Sequence, residues 1–254
     1  MGATAIIQAR MGSNRLPGKV LAPLGDYTVL EHMVARVRLS HKLKCIIVAT
    51  TAGAVDDPVE RLAAAAGVAV WRGSEHDVLD RYVCATRAFE ADPVIRLTAD
   101  CPLIVPSLID EAIETYERRE ADYVYVEGYP LGLGEIEVVR AEALERTWRE
   151  TTSDDCAYRE HVTGYIVDHP GQFTVRTPRA DKRYHRPDWR LTVDEPADLE
   201  VVRVICAHFA SCIDFTLEEL FAFLDERPDI VALNRHVHQR RWAELSVAWR
   251  TKTQ

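Results

Sequence analysis

The apolar positions of the first half fall into short runs of strand length. These are Thr4–Gln8 (TAIIQ), Cys45–Ala49, Val68–Trp71, Pro93–Leu97 and Asp122–Val126. Between them the apolar period changes to that of a helix. Val29–Leu39 is apolar at Val29, Leu30, Met33, Val34 and Val37, and Pro58–Ala66, Asp77–Glu90 and Pro106–Arg119 read as further helices. Ser74 is the expected N-cap of the third helix, and Pro106 suits the first turn of the fourth. Buried strands alternating with amphipathic helices predict βαβ units: an α/β fold with a mainly parallel sheet covered by helices on both faces. In such sheets the site lies at the carboxyl ends of the strands. That singles out the loops after Gln8, Ala49 and Leu97.

The second half is less regular. A Gly-rich loop, Gly128–Gly134, leads to a strand-like Ile136–Arg140 and a helix over Ala141–Glu150. Glu160–Val167 reads as helix, Phe173–Arg176 and Arg190–Val193 as strands, and Pro196–Phe209 and Leu217–Asp225 as helices. No repeat or long Pro/Gly/Ser linker interrupts the pattern. The expectation is one α/β domain over residues 1–212, with a C-terminal helical extension and a partly loose basic tail over 213–254.

Composition sharpens the class. The 254 residues are 47% hydrophobic and 28% charged, the mix of a globular protein. No apolar run approaches the roughly 20 residues of a membrane helix, and the opening residues lack the features of a signal peptide. Six scattered cysteines without a CxxC pair fit reduced thiols and a cytoplasmic location. A net charge of −9 argues against a nucleic-acid partner. Yet residues 1–25 carry Arg10, Arg15 and Lys19 and no carboxylate, which suits a small polyanion.

The cationic loop reads QARMGSNRLPGK over residues 8–19. It is not a P-loop, because five residues separate Gly12 from Gly18 and Val20 stands where a Ser or Thr would be needed. A GxGxxG turn is absent too. What remains is a turn whose glycines admit a close ligand, with Arg forks and a Lys point charge for phosphate oxygens. The plain alternative is a solvated basic loop. In TADCP, Asp100 ends a strand and is either a Mg²⁺ ligand, since that ion is held by one or two carboxylates plus substrate phosphate, or a turn residue. In VDEPAD, Asp194 is a candidate second ligand, while Glu195 and Asp198 suit the helix N-terminus. In RGSEHDVLDRY (72–82), Gly73–Ser74 would let backbone touch a base or sugar, and Asp80–Arg81 also reads as an exposed helix pair. Arg159 and His161 in REH offer a cation and an imidazole for an acceptor, or serve structure. GxSxG and HExxH are absent, His236 and His238 lack further ligands, and Cys101 reads as a packing residue.

Together IIQARMGSNRLPGK, VATT, RGSEHDVLDRY, RLTADCP, REHVTGYI and LTVDEPADL resemble the spore coat polysaccharide biosynthesis protein F-like cytidylyltransferases. That family is related to the CMP-KDO and acylneuraminate cytidylyltransferases. The resemblance spans residues 5 to about 240. It implies a nucleotide-diphospho-sugar transferase-like fold, and an attack by an acceptor oxygen on the α-phosphorus of CTP with loss of pyrophosphate. It assigns Gln8, Ala9, Arg10, Gly12, Ser13, Arg15, Lys19, Thr50 and Ser74 to the nucleotide. Arg15, Lys19 and Asp100 are the catalytic set, and Asp100 and Asp194 the Mg²⁺ ligands. Asp80, Arg81, Glu135, Arg159 and His161 fall to the acceptor, expected to be a sugar acid, a phosphorylated sugar or polyol, or a phosphonate. A homodimer is implied as well. Two departures stand out. YPLGLGEIE (129–137) replaces the family's YPDGLDVE, putting Leu131 and Gly134 where it has aspartates, and Gly164 replaces a proline. The alternatives are a glycosyltransferase using a preformed nucleotide sugar, disfavoured by the absence of a DxD pair, and a nucleotide-binding subunit without activity.

Overall fold

A computed structural model describes residues 2–210 and 212–239. The strands are β1 (Ala3–Gln8), β2 (Pro23–Leu24), β3 (Tyr27–Thr28), β4 (Leu43–Thr51), β5 (Ala69–Gly73), β6 (Val94–Thr98), β7 (Tyr123–Tyr125), β8 (Glu137–Val139) and β9 (Val175–Arg176). The α-helices are α1 (Val29–Val37), α2 (Asp57–Ala65), α3 (Val78–Ala88), α4 (Pro106–Arg119), α5 (Ala141–Glu150), α6 (Cys156–His161), α7 (Gly164–Asp168), α8 (Pro196–Phe209), α9 (Leu217–Glu226) and α10 (Pro228–Ala232).

Seven strands form one sheet in the order β5-β4-β1-β6-β8-β7-β9, and β2 and β3 form a small antiparallel pair. β8 runs antiparallel to both its neighbours, and every other pairing in the large sheet is parallel. The predicted α/β class with a mainly parallel sheet is therefore the observed one.

Alternation along the strands separates two cores. Ala3, Ala5 and Ile7 of β1, Val48 of β4, and Ile95 and Leu97 of β6 pack with α1, α4, α8 and α9 on one face. Ile6, Ile47, Ala49 and Val94 pack with α3, α5 and α7 on the other. Both faces are covered, so β1 is buried at five successive residues, as a central parallel strand must be. Phe215, just before α9, and Leu220, Phe221, Leu224 and Ile230 from the C-terminal helices enter the first core.

Helix starts follow local chemistry. The Thr28 hydroxyl accepts from Glu31 N at 3.2 Å while Glu31 Oε2 accepts from Thr28 N at 2.8 Å, a capping box for α1. Pro106 and Pro196 open α4 and α8 where a missing N–H costs nothing. Three expectations need correction. The N-cap of α3 is Asp77, whose Oδ1 accepts from Asp80 N at 2.8 Å; Ser74 instead accepts from Asp77 N at 3.0 Å in the turn before it. The expected helix 160–167 is split, because Val162 adopts φ 60° and ends α6 before α7 begins. Arg190–Val193 forms no ladder: it is a buried extended segment whose Leu191 N donates to Leu131 O and whose Val193 N donates to Asp100 O, each at 2.7 Å. The short helix α10 adds to the expected elements, and most of the basic tail lies outside the described residues.

No described helix is long and apolar enough to cross a membrane.

Candidate active site

Strand connections reverse direction between β1 and β6, so a crevice opens at their carboxyl ends. The loop after β1 is shaped there by its own backbone. Gly18, at φ 71°, donates its N–H to Met11 O at 2.9 Å, and Ser13 N donates to the same carbonyl at 2.9 Å. Ser13 Oγ accepts from Leu16 N at 3.3 Å, so this hydroxyl serves the turn. A Cβ at Gly12 would meet nothing within 4 Å, so the backbone there is open to approach. The loop is pinned from outside by Asp56, which accepts from Met11 N at 2.6 Å and takes the Thr51 hydroxyl. Ala9 continues the sheet, donating to Ala49 O at 3.1 Å.

The loop delivers Lys19 into the crevice between two carboxylates. Its Nζ lies 2.8 Å from Asp100 Oδ2 and 2.9 Å from Asp194 Oδ1. Arg15 reaches the same Asp194 oxygen at 2.8 Å, and Arg190 holds the other at 2.7 Å. Burial alone would lower the Lys19 pKa, but the charges of Asp100 and Asp194 outweigh it and raise it. For Asp194 burial pulls upward, and Lys19, Arg15 and Arg190 together bring it below the usual carboxylate value. The two aspartates, 94 positions apart in sequence, are laced together by backbone. Asp100 O accepts from Val193 N at 2.7 Å and from the Thr192 hydroxyl at 3.0 Å. Gly132 makes this lacing possible: at φ 96°, a Cβ there would lie 2.4 Å from the Leu191 carbonyl carbon.

Behind Asp194 is a set of residues that the sequence did not single out. Asp198 Oδ2 accepts from Asp194 N at 3.0 Å and Glu195 N at 2.9 Å, and Asp198 grips Arg190 at 2.9 and 3.1 Å. Asn234 Nδ2 bonds Asp198 Oδ1 at 2.9 Å and Arg190 O at 2.8 Å. Their only sequence signal is the VDEPAD helix start, which by itself suggests no more than negative charge at a helix N-terminus.

The other wall of the crevice carries a different set. Gln8 Oε1 lies 3.5 Å from Arg96, Arg96 pairs with Glu137 at 2.8 Å, and Glu137 accepts from the Thr163 hydroxyl at 2.7 Å. His161 stands near Arg96; burial, helped by that cation, lowers its pKa to about 4. Arg10 pairs with Glu160 at 3.6 Å. Arg81 is 2% exposed, yet its Nε and one terminal nitrogen lack a hydrogen-bond partner. Burial lowers its pKa, and the like charge of Arg10 acts in the same direction. The Trp71 Nε1 is likewise unpartnered, and both side chains crowd Gly73, where a Cβ would lie 3.1 Å from each.

Glu135 faces Asp100 from the 129–137 loop and accepts from Gly132 N at 2.5 Å. Burial, with the charges of Asp100 and Glu137, raises its pKa to about 7 against the pull of backbone N–H groups. The loop that lacks the family's two aspartates thus still brings a carboxyl group to the Asp100 side of the crevice.

Other expected site residues are engaged elsewhere. Asp80 accepts from the Trp148 indole at 3.0 Å and ties α3 to α5. Arg159 bonds Asp77 at 3.1 Å and Trp148 O at 3.0 Å, closing the end of α5. The Thr50 hydroxyl is buried without a partner. Ala49 sits opposite Trp71 in register, so Thr50 points to the opposite face of the sheet from Trp71.

Among the described residues no group of three or more His, Cys, Asp or Glu forms a metal cage. The Asp100 and Asp194 carboxylates, both ion-paired with Lys19, are nevertheless of the donor type that suits Mg²⁺, which keeps waters and is completed by substrate.

A mainly parallel sheet with a cationic loop and two facing aspartates at its switch point defines a nucleotide-binding α/β enzyme. The cytidylyltransferase family model matches residues 4–226, and the chain belongs to that family: it is a CTP-dependent nucleotidyltransferase. It is 39% identical over 228 residues to the spore coat polysaccharide biosynthesis protein SpsF of Bacillus subtilis, covering 88% of this chain and 94% of that one. A solved cytidylyltransferase from Leptospira borgpetersenii superposes with a TM-score of 0.84 at 29% identity, covering 95% of this chain and all of that one. The fold is shared with a CMP:2-keto-3-deoxy-manno-octonic acid synthetase solved with CTP, at a TM-score of 0.65 and 21% identity over 82% of this chain and 99% of that one.

Proposed function

We propose that the enzyme transfers CMP from CTP to an oxygen of a small anionic acceptor: a sugar acid, a phosphorylated sugar or polyol, or a phosphonate. The observation that carries this reading is the convergence of Lys19, Arg15, Asp100 and Asp194 at the switch point. An acceptor oxygen forms a bond to the α-phosphorus, the bond to the bridging α–β oxygen breaks, and pyrophosphate leaves with the electron pair. No protein nucleophile takes part. Lys19 and Arg15 bind the β- and γ-phosphates and stabilise the charge that collects on pyrophosphate. Asp100 and Asp194 would hold Mg²⁺, which would supply positive charge to the triphosphate. Gln8, Ala9, Arg10, Gly12 and the Arg81 fork lie along the nucleotide's path. Arg81's free donors suit an acceptor-rich group such as a pyrimidine edge or a carboxylate.

The acceptor enters from the side of Glu135, Arg96 and His161. Phosphoryl-type transfer asks chiefly for positioning and charge neutralisation; on this side of the crevice these residues would serve positioning. The name of the Bacillus subtilis relative supports a product used in polysaccharide synthesis.

The test is pyrophosphate release from each of the four NTPs with Mg²⁺ and a panel of the three acceptor classes. Acceptor-dependent release with CTP supports the reading. Acceptor-dependent release of the nucleotide from a nucleotide sugar, with the sugar joined to the acceptor and no pyrophosphate from any NTP, refutes it in favour of a glycosyltransferase.

A further inference from the structure

The cations around Asp194 differ in how firmly they are held. Arg190 has a side chain 7% exposed, is bound twice by Asp198, and contacts Gln239 as well. Asp198 is itself fixed by Asn234 and by two backbone N–H groups. Arg190 therefore stays on Asp194 Oδ2. Lys19 and Arg15 are held by the aspartate pair itself: both converge on Asp194 Oδ1, and Lys19 also on Asp100 Oδ2. Those two oxygens are the ones that face each other across the Lys19 ammonium.

Among the ion-paired groups, three carboxylates (Asp100, Asp194, Asp198) meet three cations (Lys19, Arg15, Arg190), so the ion pairs themselves balance, with the Glu135 carboxyl facing Asp100 beside them. A divalent cation arriving alone finds its donors already neutralised. It also has to expel an ammonium whose side chain is only 11% exposed, with nowhere for that charge to go. A triphosphate changes both conditions, because its oxygens accept Lys19 and Arg15 as these leave the carboxylates.

We propose that Lys19 and Arg15 are exchangeable counter-ions of the aspartate pair: in the free enzyme they occupy the metal's donors, and they release them only when a nucleoside triphosphate takes both side chains. This rests on the reading of the crevice as a triphosphate and metal site. Lys19 thus has two successive partners, aspartate and phosphate. Metal and nucleotide affinities are then linked, each raising the other by the same factor. The free enzyme resists loading with free divalent ions, and the metal enters with the nucleotide.

The experiment is Mn²⁺ binding to the full chain without nucleotide, read from loss of the free-ion electron paramagnetic resonance signal. Wild type is expected to bind weakly. Lys19→Met, which keeps the chain length and removes the charge, is expected to bind about tenfold or more tightly. Adding Asp100→Asn to that variant should abolish the gain. Arg15→Met alters a more exposed side chain and should shift affinity the same way by less, which guards against misfolding of the first variant. Lys19→Met and Arg15→Met binding no tighter than wild type would overturn the proposal. Calorimetry of a non-hydrolysable CTP analogue on wild type, with and without Mn²⁺, separates the two levels. Mn²⁺-dependent analogue binding without a gain in the variants sinks the exchange alone. No analogue binding under either condition sinks the site reading with it.

Discussion

The two walls of the crevice treat charge in opposite ways. On the α8 side every charge has a partner: Lys19, Arg15 and Arg190 meet Asp100, Asp194 and Asp198 at 2.7 to 3.1 Å. On the α3 side Arg81 is buried with unpartnered donors, and so is the Trp71 indole. A buried donor without a partner costs free energy that a ligand can recover. The first wall is a cluster of ion pairs; the second holds vacant donors. Under the proposed function, the contrast separates the groups assigned to the triphosphate from groups that would read whatever lies beside it.

The comparison breaks most sharply at Asp100. Asp100→Asn is expected to reduce turnover about 10³-fold or more while leaving the thermal unfolding midpoint near wild type. Steady-state kinetics beside calorimetric melting checks this. Next comes the pair that stiffens the second wall. Glu137→Gln leaves Arg96 buried without its 2.8 Å partner, and chemical denaturation should show a loss of about 3 kcal/mol. Arg81→Gln should act on ligand binding, raising KM for the nucleotide about ten- to a hundredfold with a smaller change in kcat. An unchanged KM would reassign Arg81 to structure.

The smallest effect sharpens the contact between the walls. Glu135 ordinarily titrates near 4.5 and is raised to about 7 in the fold. Between those values the folded state holds a proton that the unfolded chain has lost, so this group's contribution to stability falls as pH rises from about 4.5 to 7. Glu135→Gln should flatten that fall in denaturation measured across the window. An identical pH profile in the variant would show that Glu135 titrates normally.

Much of the frame was legible because its signals are local. TAIIQ, the apolar period of Val29–Val37 and the prolines that open α4 and α8 act within a few residues of themselves. That Lys19 and Asp100 share one sheet edge was legible from the βαβ pattern, but their pairing with each other and with Asp194, across 81 and 175 positions, was assigned only through the family resemblance. Arg190–Val193 misled because alternating apolar residues report burial, and here burial comes from lacing Asp100 to the 129–137 loop instead of from a ladder. Ser74 and Asp77 are both good caps, and only the backbone path chooses between them. Asp198 was read correctly as a helix N-terminal carboxylate, but its partnership with Arg190 and Asn234 was missed because the three contacts span 8, 36 and 44 positions.

The most direct measurement is acceptor-dependent pyrophosphate release from CTP as Mg²⁺ is titrated, for wild type and Asp194→Asn side by side. The account predicts that release in wild type rises with Mg²⁺ to saturation, and that Asp194→Asn needs far more Mg²⁺ or fails to respond. Equal release by both proteins at every Mg²⁺ concentration would contradict it.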